Sequence, residues 1–219
     1  MKKYEFTNET KKIKDYLGDF YTLHRIKALK DFGDVHKGDL GGWLEKESNL
    51  SHEGTCWVYD NAEVYGDAKV GERARVLNSA TIAQHAKVYG AAVVSGNAWL
   101  YNNAEVYDYA RVAGDSMVCG DAWISDSAYI CDNAEIYGNV QVYDYAKVYG
   151  DAKVYDEVNI GGNAEVYGHA EVYGNAKVFD NASIGGTAKV YGNAKVYGDA
   201  QVYGNARVEN ASIGDTAFV

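Results

Sequence analysis

Histidine is the side chain in this sequence best suited to moving a proton near neutral pH, because its ordinary pKa is about 6.5. Two of the five histidines stand in equivalent settings of a repeated pattern, His85 in Ala-Gln-His-Ala and His169 in Tyr-Gly-His-Ala. Neither has an Asp or Glu nearby in an obvious orienting role. The sequence therefore offers His85 and His169 as candidate general bases, without a catalytic group assembled around them.

Metal chemistry has no support in the spacing of the potential ligands. The three cysteines are an odd number without metal-type spacing, which suits a reducing compartment. A catalytic zinc site needs three convergent protein ligands, and the five histidines are not expected to supply them. The phosphate-binding and dinucleotide-binding glycine motifs are missing as well. We expect no metal and, from these residues alone, no cofactor.

The elements that must position these side chains come from a repeat of six residues. From Val58 to Val208 every sixth residue is aliphatic, and the residue four positions later is almost always Ala. The consensus is Ala-Lys/Glu-Val-Tyr-Gly-Asn/Asp. Ala and Val alternate with outward polar residues, which predicts a short half-buried strand, and Gly-Asn or Gly-Asp predicts a turn. Three such strands close a triangular coil, so that each coil is three hexads long.

This pattern resembles the hexapeptide-repeat signature of left-handed β-helix proteins from Val58 onward. The resemblance implies an all-β fold, a single-stranded left-handed parallel β-helix, and the left-handed sense comes from it alone. Tyr stands after the aliphatic residue, where many members of the family have Gly. The register slips late, because after Ala206 the next small residue is Ala211, five positions on. The chain ends at Val219 without an obvious cap, so we expect either pairing of ends between subunits or a longer natural chain.

The segment 1–57 lacks this regularity, and we expect it to form an N-terminal cap. Tyr21 to Leu29 alternates like a strand, and residues 31–43 are rich in Gly and Asp like a turn. A degenerate first coil is predicted to begin near Leu44 and to join the regular helix by a two-residue shift. The predicted domains are therefore 1–57, the cap and degenerate coil, and 58–219, the β-helix.

Two stretches, DFGDVHKGDLGGW (31–43) and LSHEGTCWVYDNA (50–62), resemble the bacterial YdcK-like hexapeptide-repeat proteins. Similar proteins also occur in phages and prophages. Members are usually labelled transferases because of their fold, although a fold does not establish an activity. The resemblance implies an acyltransferase that uses acetyl-CoA or another acyl-CoA beside a subunit interface. His85 or His169 would then be the general base.

The outward surface is expected to be aromatic and mildly basic on its flat faces and acidic at its corners. The charge of −10 belongs to residues 58–219, because residues 1–57 carry ten basic and ten acidic residues. Outward positions are predicted to stack one coil apart, so that Glu135, Lys153, Glu171 and Lys189 alternate in sign. Ladders of this kind, and columns of stacked tyrosines, stabilise a sheet.

The repeat degenerates between residues 91 and 131, where outward charged and Tyr positions become apolar or small. We expect a recess with apolar walls that binds a ligand or another subunit. Its predicted residues are Trp99, Arg111, Met117, Trp123 and Tyr129.

Three functions stay open from the sequence. The first is a non-catalytic oligomeric scaffold, a dimer or trimer, such as a phage or prophage inhibitor that captures a host protein or a nucleotide signal. The second is the acyl-CoA-dependent acyltransferase, and the third is an acidic nucleic-acid mimic, which the basic faces disfavour. No leader or membrane span is evident in residues 1–17, so we expect a cytoplasmic protein with no membrane partner and no direct nucleic-acid binding.

Overall fold

The inward residues of each hexad build a continuous core along the chain. The structure is a computed structural model that describes residues 2–15 and 17–219. Each hexad supplies one short strand, made of the outward polar residue and the aliphatic residue, as in Arg111–Val112. Val112 and the preceding Ala110 are both fully buried. The prediction that Ala and the aliphatic residue point inward together is confirmed.

The strands form three parallel faces that run the length of the solenoid. Val94 pairs with Val112, three hexads on, and this spacing recurs along all three faces. Face 1 consists of Leu40–Leu44, Glu63–Val64, Thr81–Ile82, Trp99–Leu100, Met117–Val118, Glu135–Gly138, Lys153–Asp156, Glu171–Val172, Lys189–Tyr191 and Arg207–Glu209. Face 2 consists of Lys69–Val70, Lys87–Val88, Glu105–Val106, Trp123–Ile124, Gln141–Val142, Asn159–Ile160, Lys177–Val178, Lys195–Val196 and Ser212–Ile213. Face 3 consists of Trp57–Val58, Arg75–Val76, Val93–Val94, Arg111–Val112, Tyr129–Ile130, Lys147–Val148, Glu165–Val166, Ser183–Ile184 and Gln201–Val202. The predicted parallel solenoid with three hexads per coil is confirmed.

An antiparallel hairpin precedes the first coil. It consists of β1 (Tyr4–Lys14) and β2 (Phe20–Ala28), and β2 pairs antiparallel with Leu40–Leu44, so the hairpin continues the sheet of face 1. The strand predicted from Tyr21 is present, whereas β1 was not predicted. The expectation of a turn over residues 31–43 is wrong for its last four residues, because pairing with β2 and with face 1 draws them into a strand.

The start of β1 and the end of β2 close the N-terminal end of the core. Tyr4, Ile26 and Ala28 are buried in the same cluster as the inward residues of the coils, together with Val35. The Tyr4 hydroxyl donates to the carbonyl oxygens of Glu47 and Leu50, at 2.8 and 3.1 Å. A large ring therefore fills the end of the prism while its polar group stays paired.

Both predicted register shifts are present. Leu44 pairs with Val64 and Leu50 bridges to Val70, so the first coil holds two residues more than three hexads. Late in the chain, Val196 pairs with Ile213, so that coil is one residue short of three hexads. The division into domains at residues 57 and 58 stays a prediction, and the strand Trp57–Val58 lies across it.

Helical structure is scarce. A 3₁₀-helix spans Glu47–Asn49 in the first coil. Among residues 2–15 and 17–219 there is no helix with the length and apolar character needed to cross a membrane.

Candidate functional site

His85 lies at the corner between face 1 and face 2, with a carboxylate one coil away. The distance from His85 Nε2 to Asp67 Oδ2 is 3.7 Å. The expectation that His85 has no acidic partner is therefore wrong. Asp67 stands three hexads earlier, so the coil places it directly beside His85 although the two are distant in sequence. Subtracting one coil length from the histidine position would have found it.

Asp67 is itself held in the ionised form. Lys46 Nζ lies 2.6 Å from Asp67 Oδ1, and the hydrogen bond from Lys46 is the main reason that the pKa of Asp67 is lowered. The remaining carboxylate oxygen faces the imidazole. At 3.7 Å this is an ionic contact rather than a hydrogen bond, and it can orient the ring of His85.

A groove of about 610 Å³ lies in front of this corner, with polar side chains along its wall. Gln84 and Asn102 line it, and Gln84 Oε1 accepts a hydrogen bond from the backbone N–H of Asn102 at 2.9 Å. Asn103 Nδ2 donates to Asp121 Oδ1 at 2.8 Å. The wall is therefore pre-organised by bonds from coil to coil, and it could orient a polar substrate against His85.

The N-terminal hairpin supplies the other wall through Tyr21, at the start of β2. The Tyr21 ring packs against Tyr65 at a centroid distance of 4.8 Å, and Leu23 is fully buried against Tyr65 and Ala83. Burial, followed by the nearby charge of Asp15, raises the pKa of Tyr21. Asp15 also accepts a hydrogen bond from the Tyr21 hydroxyl, so the hydroxyl oxygen is left to accept a hydrogen bond in the groove. Sequence reasoning missed Tyr21 because the hairpin folds back onto face 1.

His169 occupies a different corner, between face 3 and face 1, as its spacing from His85 predicts. Its Nδ1 lies 3.4 Å from Asp151 Oδ2, again one coil earlier. The two histidine side chains are about equally exposed, 67% for His85 and 69% for His169, but no wall like the hairpin stands over His169 in the described structure. Of the two predicted bases, only His85 is paired with a groove wall from another element.

The five residues predicted to share one apolar recess lie on three faces. Trp99 and Met117 are neighbours on face 1, beside a shallow cleft of about 330 Å³. Arg111 and Tyr129 are neighbours on face 3, beside one of about 310 Å³. Trp123 stands on face 2. The prediction of a single recess is wrong, because consecutive hexads fall on different faces and only residues one coil apart are stacked. Their role as ligand or interface residues stays a prediction.

A second large groove, of about 580 Å³, opens on face 2 near the first coils. It lies where Gly71 replaces the usual outward Tyr. Lys69, Arg73 and Lys87 stand around it. Face 2 also borders the His85 corner, so the two grooves adjoin opposite edges of one face.

Within the described residues, no three His, Cys, Asp or Glu side chains converge as a metal site would require. The three cysteines are unpaired, and burial raises the pKa of the Cys56 and Cys119 thiols. Thiols of this kind are poor nucleophiles at neutral pH.

Comparisons with known proteins agree with the resemblance drawn from the sequence. A family model described as the YdcK β-solenoid repeat matches residues 200–213. The chain is 34% identical over 86 residues to a protein of Escherichia coli (strain K12) named "Uncharacterized acetyltransferase YdcK". This match takes in 37% of the chain and 26% of the relative, so the chain spans about a quarter of the length of the curated relative it matches. The resemblance to YdcK-like proteins is confirmed at the level of the repeat and the solenoid.

Proposed function

We propose that this protein is an acyltransferase whose reaction takes place in the groove at His85. The observation that carries the proposal is the His85–Asp67 pair in the wall of a groove of about 610 Å³. The name of the Escherichia coli relative, an uncharacterized acetyltransferase, supports the same class of reaction. This reading gives priority to the second of the three functions left open by the sequence.

In this proposal His85 accepts the proton of an acceptor hydroxyl or amine as the acceptor attacks the acyl carbon. The bond between the acyl carbon and the thioester sulfur then breaks, and the proton passes from His85 to the departing thiolate. Asp67, held ionised by Lys46, stabilises the imidazolium that results. The Tyr21 hydroxyl and the Asn103 amide orient the acceptor in the groove. General-base catalysis of this kind contributes about 10²–10⁴-fold to a rate.

The acyl donor implied by the relative's name is acetyl-CoA, whose nucleotide end carries several phosphates. Face 2, beside the His85 corner, offers Lys69, and its neighbour Lys87 in register on the next strand is bound to Glu105. A cation without an ion pair, such as Lys69, fits a phosphate group. Acyl-CoA, when bound, supplies the acyl group as an activated thioester.

The test is release of free CoA from acetyl-CoA by the purified protein, with water alone and with a panel of amines and sugars as acceptors. We expect His85→Gln to lower this rate by about 10²-fold or more. His169→Gln is the matched control, because His169 has the same hexad position and a similar acidic neighbour without the groove. Equal rates for the wild type and His85→Gln, or no release above the uncatalysed rate, would refute the proposal.

A binding scaffold is the second candidate, favoured by the exposed aromatic residues on separate faces. Trp99, Trp123 and Tyr129 are 40%, 48% and 38% exposed. Exposed apolar side chains of this size commonly mark contacts with another molecule. Light scattering of the purified protein, with Trp99→Ser and Trp123→Ser as variants, tests whether these residues hold a dimer or trimer together. A monomeric wild type would argue against the scaffold.

A further inference from the structure

The groove on face 2 lies at a gap in a column of aromatic rings. Along this column the outward residues one coil apart are Ser51, Gly71, Tyr89 and Tyr107, because Leu50 bridges to Val70 and aligns Ser51 with Gly71. The rings of Tyr89 and Tyr107 are stacked, with centroids 5.1 Å apart and an interplanar angle of 2°. The column therefore stops at Tyr89, whose other side faces two small residues.

Glycine elsewhere at this hexad position is covered by the tyrosine one coil before it. A Cβ atom added to Gly161 would come within 2.4 Å of the Tyr143 ring, and one added to Gly185 within 2.7 Å of the Tyr167 ring. A Cβ atom added to Gly71 would meet no atom within 4 Å. Ser51 has no ring to lay over Gly71, so the place of one ring stays open beside Tyr89. We call this place the open rung.

Positive charge borders the open rung. Among the described residues, neither Lys69 nor Arg73 makes an ion pair, whereas Lys87 binds Glu105 at 2.7 Å. Glu72, also in the wall, has its Oε2 engaged by the backbone N–H of Gly90 at 3.0 Å. Lys69 and Arg73 therefore line the same groove as Tyr89 without an ion pair of their own, and the carboxylate of Glu53 also lies in its wall.

We infer that the open rung binds a nucleotide, with the base stacked on Tyr89 and the phosphates held by Lys69 and Arg73. A flat ring repeats the contact that Tyr107 makes on the other side of Tyr89, and stacking on aromatic residues accepts any base. Cationic side chains in the same groove favour a ligand whose aromatic ring is attached to phosphate groups. A free nucleotide and the nucleotide end of a coenzyme share this chemistry. The inference shares Lys69 with the place proposed above for the acyl donor, but binding at the open rung does not depend on acyl transfer at His85.

The test is a substitution that occupies the open rung with a side chain of the protein itself. Gly71→Tyr is designed to place a ring where the nucleotide base would stack, and a Cβ atom at this position would meet no atom within 4 Å. Calorimetric titration with ADP should show binding to the wild type and at least about tenfold weaker binding to Gly71→Tyr. The variant should unfold at no lower temperature than the wild type, because the added ring extends the Tyr89–Tyr107 stack.

A second pair of variants keeps the test independent of Gly71→Tyr. Lys69→Ala should weaken ADP binding several-fold, whereas Lys177→Ala should leave it unchanged. Lys177 holds the same position on face 2 and also neighbours a lysine, Lys195, but its coil carries the complete Phe179–Tyr197 stack. Equal losses in the two lysine variants would mean that charge alone binds the nucleotide, and would overturn the inference.

Coenzyme A is titrated in parallel to identify the source of the nucleotide. If CoA and ADP compete for binding, and Gly71→Tyr weakens the binding of both, the open rung is the site of a coenzyme. Binding of ADP without CoA assigns it to a free nucleotide. No binding of either by the wild type, or unchanged binding in Gly71→Tyr, refutes the inference. His85→Gln should leave ADP binding intact, so the failure of acyl transfer and the failure of the open rung are separate results.

Discussion

At the scale of the residue, the corner positions have two roles, because they turn the backbone and they also form hydrogen bonds between coils. Every sixth residue from Asp60 to Asn210 has a positive φ, and where it is not glycine it is Asp, Asn, Glu or Gln. At most of these non-glycine corners the side chain accepts a hydrogen bond from the corner N–H one coil later, as Asp180 Oδ2 does from Gly198 at 3.0 Å. The acidic corners expected from turn preference therefore also join coils. This bond depends on the register between coils. The turn preference of a single residue gives no information on that register.

Replacing Asp180 with Ala should lower the free energy of unfolding by about 1–2 kcal/mol. Ala tolerates the left-handed backbone of this corner poorly, and it leaves the N–H of Gly198 without its acceptor. Asp180→Asn keeps both the backbone tolerance and the acceptor, so we expect a change within about 0.5 kcal/mol. Urea denaturation measures both. Equal losses for Ala and Asn would mean that the side-chain oxygen contributes nothing.

At the scale of the element, stacked rings and paired charges tie neighbouring strands on the outer surface. Tyr137, Tyr155, Tyr173 and Tyr191 stack along face 1, with successive centroids 4.9, 4.8 and 5.0 Å apart. Beside them, Lys153 Nζ lies 3.0 Å from Glu135 and Lys189 Nζ lies 2.8 Å from Glu171. The alternating ladder predicted from the sequence is confirmed as two ion pairs. Burial, followed by the charge of Glu171, raises the pKa of Tyr155 to about 12.

Tyr155 has a stacked ring on each side, so Tyr155→Ala should cost about 1–3 kcal/mol of unfolding free energy. Tyr155→Phe keeps both stacks and should cost much less. Tyr191 is the comparison position, because it has one stacked tyrosine, and its replacement by Ala should cost less than that of Tyr155. Thermal unfolding of the three variants ranks their losses of stability. A loss at Tyr191 as large as that at Tyr155 would show that stacking is not the main contribution.

At the scale of the whole molecule, the solenoid is stabilised chiefly between adjacent coils. Its inward column is narrow, because fully buried Ala alternates with fully buried aliphatic residues. The hairpin adds contacts of a different kind, since it closes the core with Tyr4 and covers face 1 with Leu23. We therefore expect disturbances in the solenoid to spread coil by coil.

Ala164→Leu tests this spread. The larger side chain has no space in the core and should cost about 1–3 kcal/mol. Hydrogen exchange should rise first in the coils that contain Ala146 and Ala182 and leave the hairpin protected. Lys177→Leu adds a side chain of the same size at an exposed outward position, and Lys177 makes no ion pair or side-chain hydrogen bond within the described residues, so exchange should stay nearly unchanged. Uniform deprotection of the whole chain by Ala164→Leu would contradict nearest-neighbour stability.

The candidate site was only partly visible in the sequence. His85 and His169 could be named because their residue type suggests proton transfer, but choosing between them required the hairpin wall at Tyr21. Asp67 was missed because its distance from His85 is short only across a coil. The predicted apolar recess failed for the same reason, since adjacent hexads face different directions.

What the sequence determined by itself was the solenoid, its coil length and both register shifts. These follow from local periodicity, because each hexad repeats one pattern of inward and outward residues from Val58 to Val208. What only the tertiary structure decided was contact between coils and with the hairpin. The His85 groove and the open rung at Gly71 both arise there, since each depends on which side chain lies one coil before another. Periodicity fixes the backbone, whereas a site depends on the departures from it that the stacking of coils brings together.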